Sequence, residues 1–577
     1  MLTKNRNVCL EMASERDGAR SEHFFSRKNV YSDKCALRFF EQTMIKDYDN
    51  YIKSATKELP QTQAEFLQLK KKLSKQHGIP IPTNADLRCG YDKLVSKKKI
   101  KRSIALEKIL LSRAIRTQSG VAVVAVLTKS YPCPGKCIYC PTEKDMPKSY
   151  LSNEPAVMRA IDAHFNPYRQ VQNRLRSLEL NGHQTDKIEL IVMGGTFSFL
   201  PKDYQKQFIT ECFRACNEYP RCHPDRSGGI SGSDSSTSLR YAQNDKLIKE
   251  QKRNENAKRR IIGITLETRP DYIDEKEIIN FRKLGCTRVE LGVQSIFDDV
   301  LKINKRGHLV SETTRATKLL KDAGFKINYH MMPGLPGSTP ARDFKMFKGL
   351  FTNSDFKPDM LKIYPTVVLK NSKLHKIWKN GSYKPLSNTQ FEKLVLKIKN
   401  EVIPPYVRIS RLVRDVPTSS IIAGPTVSNL RQIIIPQSHC QCIRCREVRS
   451  RYIIKESIVL DRIDYDASGG KEIFLQYVSP NKIKLFALLR LRITSAGMAI
   501  IREVHTYGKL AKINQQDKKS PQHIGLGKKL VKEAERIAKK EFGIEEIAVI
   551  SGIGVRNYYR KLGYRLKDTY MVKYINK

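Results

Sequence analysis

Six of the thirteen cysteines stand in two tight clusters, and these are the residues whose type and spacing could do chemistry. They are Cys133, Cys137 and Cys140, spaced C-x3-C-x2-C, and Cys440, Cys442 and Cys445, spaced C-x-C-x2-C. Thiolates this close along a chain bind metals or oxidise. The odd count and a chain without an apolar leader make disulfides a poor expectation.

The first cluster fits an iron–sulfur site. Three thiolates can hold three corners of a cubane and leave the fourth iron without a protein ligand, free for a substrate. Zinc prefers four ligands, and no fourth Cys or His lies nearby in the sequence. Chance spacing is the alternative, but a β-branched run before the motif and Tyr139 inside it argue against chance. The motif therefore predicts a [4Fe-4S] cluster with an open iron.

The elements that must position this motif are repeated βα units. Short β-branched runs alternate with helical stretches from residue 121 onwards, which is typical of a barrel or part of one. Six strands are predicted, at 121–127, 188–193, 261–267, 287–293, 325–331 and 360–364. Active sites of such barrels lie in the loops after the strands, and the cysteine motif follows the first strand.

Several polar or glycine residues stand where the other predicted strands end. They are Gly194, Gly195, Glu267, Arg269 and Gln294. Their position favours contact with a cofactor or substrate. A tight turn that needs positive φ also explains the glycine pair, and surface ion pairing also explains the charged residues.

The motif and the six strands resemble the radical S-adenosylmethionine (SAM) superfamily. This resemblance implies an α/β fold in which a (βα)6 partial barrel holds the [4Fe-4S] cluster through Cys133, Cys137 and Cys140. It also implies that Gly194 and Gly195 hold the amino group of SAM, with Glu267 and Gln294 as further cofactor contacts.

A second candidate site lies near the C-terminus. Gln522, Gly525, Leu526 and Gly527 form a Q-x-x-G-x-G loop before a helix, which aims backbone N–H groups and the positive helix end at a pyrophosphate. The order of elements resembles an α+β GNAT acyltransferase domain that binds acetyl-CoA. Tyr558 and Tyr559 then stand where that fold places a phenol near the thioester. A generic helix start and helix packing are the alternatives.

The two halves together are similar to the family of the catalytic subunit of Elongator, including its stand-alone prokaryotic versions. The similarity runs through CIYCP, MGGTFSFLP, RVELGVQS, HMMPGLPGS, CIRCREV and QHIGLGKKL. It implies that a 5′-deoxyadenosyl radical abstracts hydrogen from the methyl group of acetyl-CoA, that the carbon radical adds to C5 of the tRNA wobble uridine, and that thioester hydrolysis leaves 5-carboxymethyluridine.

Four regions are expected on this basis. Residues 1–95 form a basic tRNA-binding region, 96–400 the barrel with an insertion at 221–260, 401–451 a zinc-binding connector, and 452–577 the acetyltransferase domain. Cys440, Cys442 and Cys445 resemble the structural zinc region of the family. A tetrahedral site needs a fourth ligand, for which His330 is preferred over His439; a metal-free thiol triple is the alternative.

Charge and composition limit the remaining possibilities. The chain has 105 Lys and Arg against 58 Asp and Glu, a net charge of +47, which suggests a polyanionic partner unless it reflects a lysine-rich genome. The 40% hydrophobic content excludes global disorder, and no apolar run approaches the roughly 18 residues of a membrane span. A cytoplasmic location is expected.

The basic surface has a specific use in this family. The N-terminal region, residues 97–102 and the Arg and Lys residues near 444–451 are expected to contact the anticodon stem-loop of tRNA. A homodimer or Elongator-like partner subunits are left open. Two other functions compete: a protein lysine acetyltransferase with the barrel as scaffold, and a non-enzymatic tRNA-binding scaffold.

Overall fold

The computed structural model describes residues 48–60, 62–111, 117, 119–219, 240–449, 451–453, 456–508 and 525–575. The chain forms two compact units, Met1–Ser112 and Arg113–Lys577. The predicted Gly/Ser linker at 228–238 and Gln522 lie outside the described residues. Among the described helices, none combines the length and the apolar character that a bilayer crossing requires.

The described part of the first unit is a small helical bundle. Its helices are Tyr48–Glu58, Gln63–His77, Asn84–Ser96 and Ile104–Leu110. They bury Tyr51, Phe66 and Tyr91 in a core of their own. Because the helix 104–110 packs into this core, the unit extends beyond the predicted boundary at residue 95. The basic run 97–102 lies in the turn between the last two helices, and its Lys and Arg side chains are exposed.

The second unit begins with a parallel sheet of seven strands. In sheet order they are β1 (Ala122–Leu127), β2 (Lys187–Met193), β3 (Arg260–Thr268), β4 (Arg288–Gln294), β5 (Lys326–Met331), β6 (Met360–Ile363) and β8 (Arg408–Arg411). Every neighbouring pair is parallel. The six predicted strands are confirmed. The seventh, β8, comes from the segment that was predicted to be connector.

Helices connect these strands and cover the sheet. They are Pro155–Asp162, Pro167–Leu180, Lys202–Glu218, Arg240–Asn254, Glu275–Lys283, Asp298–Ile303, Val310–Asp322, Pro340–Thr352, Lys373–Lys379, Asn388–Glu401, Leu430–Ile434 and Ile443–Arg446. The stretch 155–178 was predicted as one helix but is two. Between the two helices, His164 and Phe165 have positive φ, and Pro167 starts the second helix.

The helix of the insertion at 221–260 is packed into the fold. Arg240–Asn254 packs beside Lys202–Glu218, where Asn217 donates hydrogen bonds to Glu250. At the middle of the helix, Leu247 is buried in the main core. Just beyond the helix, Glu255 forms ion pairs with Arg556 and Arg560 of the C-terminal region.

A second sheet of seven strands follows. In sheet order they are β10 (Val459–Ala467), β11 (Gly470–Val478), β12 (Leu485–Ile493), β13 (Ala499–Thr506), β14 (Glu546–Val549), β16 (Tyr570–Tyr574) and β15 (Arg565–Lys567). All pairs are antiparallel except β13 with β14. Helices Leu526–Phe542 and Arg556–Arg560 belong to this half, and β7 (Val368–Leu369) pairs separately with β9 (Ile421–Ala423).

Strand β13 carries a bulge in its pairing with β12, after which it no longer pairs with β14. Arg490 pairs with Glu503 and Leu491 with Ile501, so Arg502 is the extra residue. Strands β13 and β14 pair over only three residues each, ending at Ile501 and Val549. The two strands therefore open into a cleft directly after the bulge.

A buried ion cluster joins this second sheet to the barrel. The fully buried Arg502 donates hydrogen bonds to both carboxylate oxygens of Asp359, at 3.1 and 2.5 Å, and to Glu472 at 2.7 Å. Lys321 also pairs with Glu472, at 3.5 Å. The opposing charges outweigh burial and hold the pKa of Asp359 well below its usual range. The N-terminal end of β6 is thereby tied to the second sheet.

Asp359→Ala is expected to destabilise the protein by about 3–5 kcal/mol, because it leaves the Arg502 guanidinium buried without its carboxylate. The measurement is the free energy of unfolding from a guanidinium titration. Glu533→Ala is the matched control, since its ion pair with Arg536 is on the surface and contributes at most about 1 kcal/mol. Equal losses in the two variants would contradict the structural role given to Asp359.

Candidate functional site

The first cysteine cluster lies in the loop that follows β1. Cys133 is exposed, Cys137 is buried and Cys140 is half-buried. The backbone N–H of Gly135 points to Cys133 Sγ at 3.4 Å, and the Arg306 guanidinium lies 3.5 Å from Cys137 Sγ. A hydrogen bond from Cys140 and, against the effect of burial, the charge of Arg306 lower the pKa of Cys137 to about 4. The loop thus favours a thiolate at Cys137, the form that binds iron, whereas the hydrogen bond to Cys137 and burial raise the pKa of Cys140.

The loop has the room and the donors that a cluster needs. A Cβ at Gly135 would lie 3.6 Å from the sulfurs of both Cys133 and Cys137 and 2.7 Å from Arg269 Nη1. A larger residue here would displace the Arg269 side chain from the thiols. The Tyr139 hydroxyl and Arg269 Nη1 are buried without a hydrogen-bond partner in the described part of the chain. These features fit a bound group that fills the space beside the thiols.

A glycine cradle lies at the end of β2, next to this loop. Gly194 and Gly195 have φ of +138° and +93°, and a Cβ on Gly194 would lie 2.0 Å from Thr128 Oγ1. The Thr128 hydroxyl is buried without a partner among the described residues. At the end of β4, Gln294 has φ +70°, a backbone strain that non-glycine residues accept mainly at functional sites. Both strand ends are therefore shaped for a ligand.

The interior of the barrel is charged where barrels are usually apolar. Glu290 on β4 accepts hydrogen bonds from Asn328 at 3.0 Å and from His330 Nε2 at 2.8 Å, and pairs with Lys362. Lys362 also lies 3.7 Å from Glu267. Burial alone raises the pKa of Glu290, but Lys362 and His330 outweigh it and hold that pKa well below its usual range.

Part of this cluster was missed in the sequence. Glu290 and Lys362 stand inside the apolar runs TRVELGV and MLKIY, and a charge within a buried strand was the available signal. Tyr150, which donates a hydrogen bond to Glu267 at 2.7 Å, offers no such signal because it lies in a loop. The predicted site residue Glu267 is therefore part of a larger charged group.

One continuous cavity of about 1270 Å³ links the barrel to the second sheet. At the C-terminal ends of the strands it is lined by Cys133, Cys137, Cys140, Gly195 and Gln294. In the middle it is lined by Glu290, His330 and Lys362. At the other end it is lined by Val504, Thr506, Gly525, Gly527 and Tyr558. The two predicted cofactor sites thus open into the same space.

The second end of the cavity has the features of a phosphate-binding cleft. Gly525, with φ +79°, precedes the helix Leu526–Phe542, whose first N–H groups face outward. A Cβ on Gly527 would lie 3.1 Å from the Tyr558 hydroxyl. Burial raises the pKa of Tyr558 to about 12, so the phenol is protonated at neutral pH. Tyr559 packs against Tyr564 and Tyr558, and only 6% of it is exposed.

The second cysteine cluster forms a compact group. The sulfurs of Cys440, Cys442 and Cys445 lie within 4.8 Å of one another. Hydrogen bonds from the other two thiols and the charge of Lys399 hold the pKa of Cys442 well below its usual range. The Lys399 ammonium lies 3.4 Å from Cys445 Sγ. Three convergent sulfurs fit one metal ion.

The prediction that His330 completes this group is wrong. Its ring lies inside the barrel, bonded to Glu290, and its ligand atoms group with Glu267 and Glu290 instead. The other candidate, His439, is exposed, and its backbone N–H donates to Asn400. Spacing along the chain does not report distance across the fold, which is why the assignment failed.

Two arginines that were expected to face tRNA are engaged inside the protein. Arg446 is 5% exposed and donates hydrogen bonds to Gln441, Pro405 and Gln476. Arg444 pairs with Glu447 at 3.3 Å. These arginines hold the connector against both sheets and leave the exposed run 97–102 as the stronger candidate for a phosphate contact.

Comparison with known proteins agrees with this geometry. Residues 129–347 match the Radical SAM superfamily and residues 358–437 match the Radical SAM C-terminal domain. The superfamily match implies a [4Fe-4S] cluster and SAM, and the cysteine loop and glycine cradle fit both.

Relatives extend over nearly the whole chain. The tRNA uridine(34) acetyltransferase of Methanocaldococcus infernus is 42% identical over 564 residues, 93% of this chain and 99% of the relative. Elongator complex protein 3 of Saccharomyces cerevisiae is 40% identical over 497 residues, 81% of this chain and 85% of the relative. The solved structure of the archaeal Methanocaldococcus infernus Elp3 with an N-terminal deletion matches with a TM-score of 0.65 and 40% identity, covering 79% of this chain and 99% of that one.

Gly194→Ala is expected to abolish SAM binding, because the new Cβ would clash with Thr128 Oγ1 and strain a backbone at φ +138°. The measurement is SAM affinity by isothermal titration of the anaerobically reconstituted protein. Gly497→Ala is the control, since φ is also positive there, at +74°, but no heavy atom lies within 4 Å of its Cβ. Unchanged SAM affinity in Gly194→Ala would refute the cradle.

Proposed function

This chain belongs to the family of the tRNA uridine(34) acetyltransferases and Elongator complex protein 3, and on that premise we propose that it forms 5-carboxymethyluridine at the wobble position of tRNA from acetyl-CoA. The observation that carries the proposal is the single cavity that joins the cysteine loop to the glycine cleft. A reaction that uses both cofactors on one substrate needs such a shared space.

The barrel residues hold the radical-generating cofactors. Cys133, Cys137 and Cys140 bind the cluster, while Gly194 and Gly195 admit the SAM amino group beside it. The chemistry that the cluster and SAM supply when bound is a 5′-deoxyadenosyl radical able to remove hydrogen from the acetyl methyl group. Glu267 and Gln294 line the same cavity and would contact the cofactor.

The fold also supplies the exclusion of water that carbon radicals require. The Arg502 cluster and the contact of Gly552 with the backbone of Ile262 close the second sheet against the barrel. A Cβ on Gly552 would lie 2.0 Å from the Ile262 carbonyl oxygen. These contacts pack the second sheet against the barrel around the cavity and so limit the access of bulk water to the lumen.

Acetyl-CoA occupies the other end of the cavity in this proposal, in a GNAT-type domain spanning 452–577. The backbone N–H groups at Gly525, Leu526 and Gly527 would face the pyrophosphate, and Gln522 of the same sequence motif is a further candidate contact. The cleft between β13 and β14 takes the pantetheine arm. Tyr558 is the phenol nearest the loop, and Tyr559 supports it from the core.

Two further assignments complete the proposal. Cys440, Cys442 and Cys445 hold a structural Zn²⁺ in the connector, with the fourth ligand unassigned. The described residues of the first unit, 48–60 and 62–111, include 14 Lys or Arg against 6 Asp or Glu, and we infer that this unit binds the anticodon stem-loop.

Lysine acetylation with the barrel as scaffold is less well supported. The printed names of the relatives point to tRNA uridine, and a scaffold needs neither the charged lumen nor the cavity that joins it to the cleft. That alternative predicts acetyl transfer that survives loss of the cysteine motif.

Cys137→Ala is expected to abolish carboxymethyluridine in an anaerobic assay with tRNA, SAM, reductant and acetyl-CoA, because the cluster loses a ligand. Nucleoside mass spectrometry measures the product. Cys89→Ala, an exposed thiol of the first unit, is expected to retain wild-type activity. Product at the wild-type level in Cys137→Ala would overturn the radical function.

Lys99→Gln with Lys101→Gln is expected to weaken tRNA binding and to lower the slope of log K against log salt by about 0.9 for each lost phosphate contact. Fluorescence anisotropy with a labelled anticodon stem-loop over a salt series measures both. Acetyl-CoA affinity should not change. Lys471→Gln, on an exposed position of β11, is the control, and an unaltered slope in the double variant would remove 97–102 from the interface.

A further inference from the structure

An imidazole stands in the barrel lumen in the arrangement of a general base. His330 Nε2 is 2.8 Å from Glu290 Oε2, and 16% of the side chain is exposed to the cavity that it lines. Among the described residues, Glu290 is the hydrogen-bond partner of the His330 ring. Because Nε2 carries the proton donated to Glu290, the lone pair of Nδ1 is available to a molecule in the cavity.

The neighbours of His330 favour this protonation pattern. Lys362 pairs with Glu290 and keeps it ionised, so that the carboxylate accepts from the ring and orients it, as the acid does in a catalytic triad. Tyr364 packs edge-on against the imidazole at 5.6 Å.

Other charged groups face the same space. Glu267 on β3 lies within 4.8 Å of a ring nitrogen, and Arg411 on β8 interacts with Glu290 and Tyr364. The Lys362 ammonium pairs with both carboxylates and so occupies the position between them that a cation would take.

The position of His330 along the cavity is also informative. The acetyl methyl must reach the cysteine loop at one end, while the CoA arm leads to Gly525 and Gly527 at the other end. The thioester carbonyl, bonded to the methyl carbon on one side and to sulfur on the other, therefore lies just inside the lumen. His330 is the next-to-last residue of β5 and is paired in register with Lys362. It therefore lies at the level of the barrel where the thioester carbonyl is expected.

We propose that His330 is the general base that hydrolyses the acyl-CoA thioester after carbon–carbon bond formation, with Glu290 as its positioning residue. The inference rests on the proposed function. A water molecule gives a proton to Nδ1 and its oxygen bonds to the carbonyl carbon. The tetrahedral adduct then collapses with cleavage of the C–S bond, and the proton passes to the CoA thiolate. The products are the carboxymethyl group and free CoA, with no change in oxidation state.

The test compares wild type with His330→Gln in the anaerobic assay. Three products are measured: 5′-deoxyadenosine, carboxymethyluridine and a tRNA fragment that carries the CoA thioester, identified by intact mass and by cleavage with hydroxylamine. His330→Gln is expected to form 5′-deoxyadenosine at the wild-type level, to release carboxymethyluridine about 100-fold more slowly, and to accumulate the thioester. His375→Gln, on the helix Lys373–Lys379 outside the cavity, should match wild type.

The pH profile separates a base from a structural group. In wild type the hydrolysis rate should fall in acid, as expected of a reaction that uses a general base, and in His330→Gln this limb should disappear. Hydrolysis at the wild-type rate, an unchanged acid limb, or parallel loss of 5′-deoxyadenosine would each overturn the assignment. If wild type itself yields neither carboxymethyluridine nor thioester, the proposed function fails instead.

Discussion

The buried guanidinium of Arg502 is the interaction on which the rest of the second unit depends. It is the extra residue of the bulge in β13, and it reaches Asp359 at the base of β6 and Glu472 on β11. The same bulge precedes the point where β13 leaves β14. The bulge in β13 thereby ties the second sheet to the barrel and also precedes the cleft between β13 and β14. By inserting one extra residue, a bulge changes the direction of a side chain and can end the pairing of the strand.

The packing of the second sheet against the barrel gives the barrel interior an unusual role. It keeps the side chains of Glu290, His330 and Lys362 away from bulk water, and their interactions are stronger in this buried setting. The cavity continues past these residues to the glycine cleft. The cysteine loop and the glycine cleft are thus the two ends of one cavity, which is the arrangement that the proposed function requires.

The sequence predicts the elements that follow from local pattern. The six β-branched runs form strands within one or two residues of the expected bounds, because buried parallel strands tolerate little else. The cysteine loop and the glycine pair follow from spacing and from strain that only glycine accepts. Strand β8 was missed because four residues within a polar connector, Arg408–Arg411, carry no periodic signal.

What the sequence could not supply is convergence across the sheet. Glu290, His330 and Lys362 come from three strands separated by some thirty residues each, and only the register of β4, β5 and β6 brings them together. The assignment of His330 to the distant thiols failed for the same reason. The arginines of the connector likewise predicted a basic surface, but the fold places Arg446 in the interior.

The most direct measurement of the central claim follows the fate of the acetyl methyl hydrogens. Acetyl-CoA with three methyl deuterons is supplied to the anaerobic enzyme with SAM, reductant and tRNA. The account predicts one deuterium in 5′-deoxyadenosine and two in the carboxymethyl group of the tRNA. Unlabelled 5′-deoxyadenosine, or an acetyl group transferred with all three deuterons intact, would contradict it.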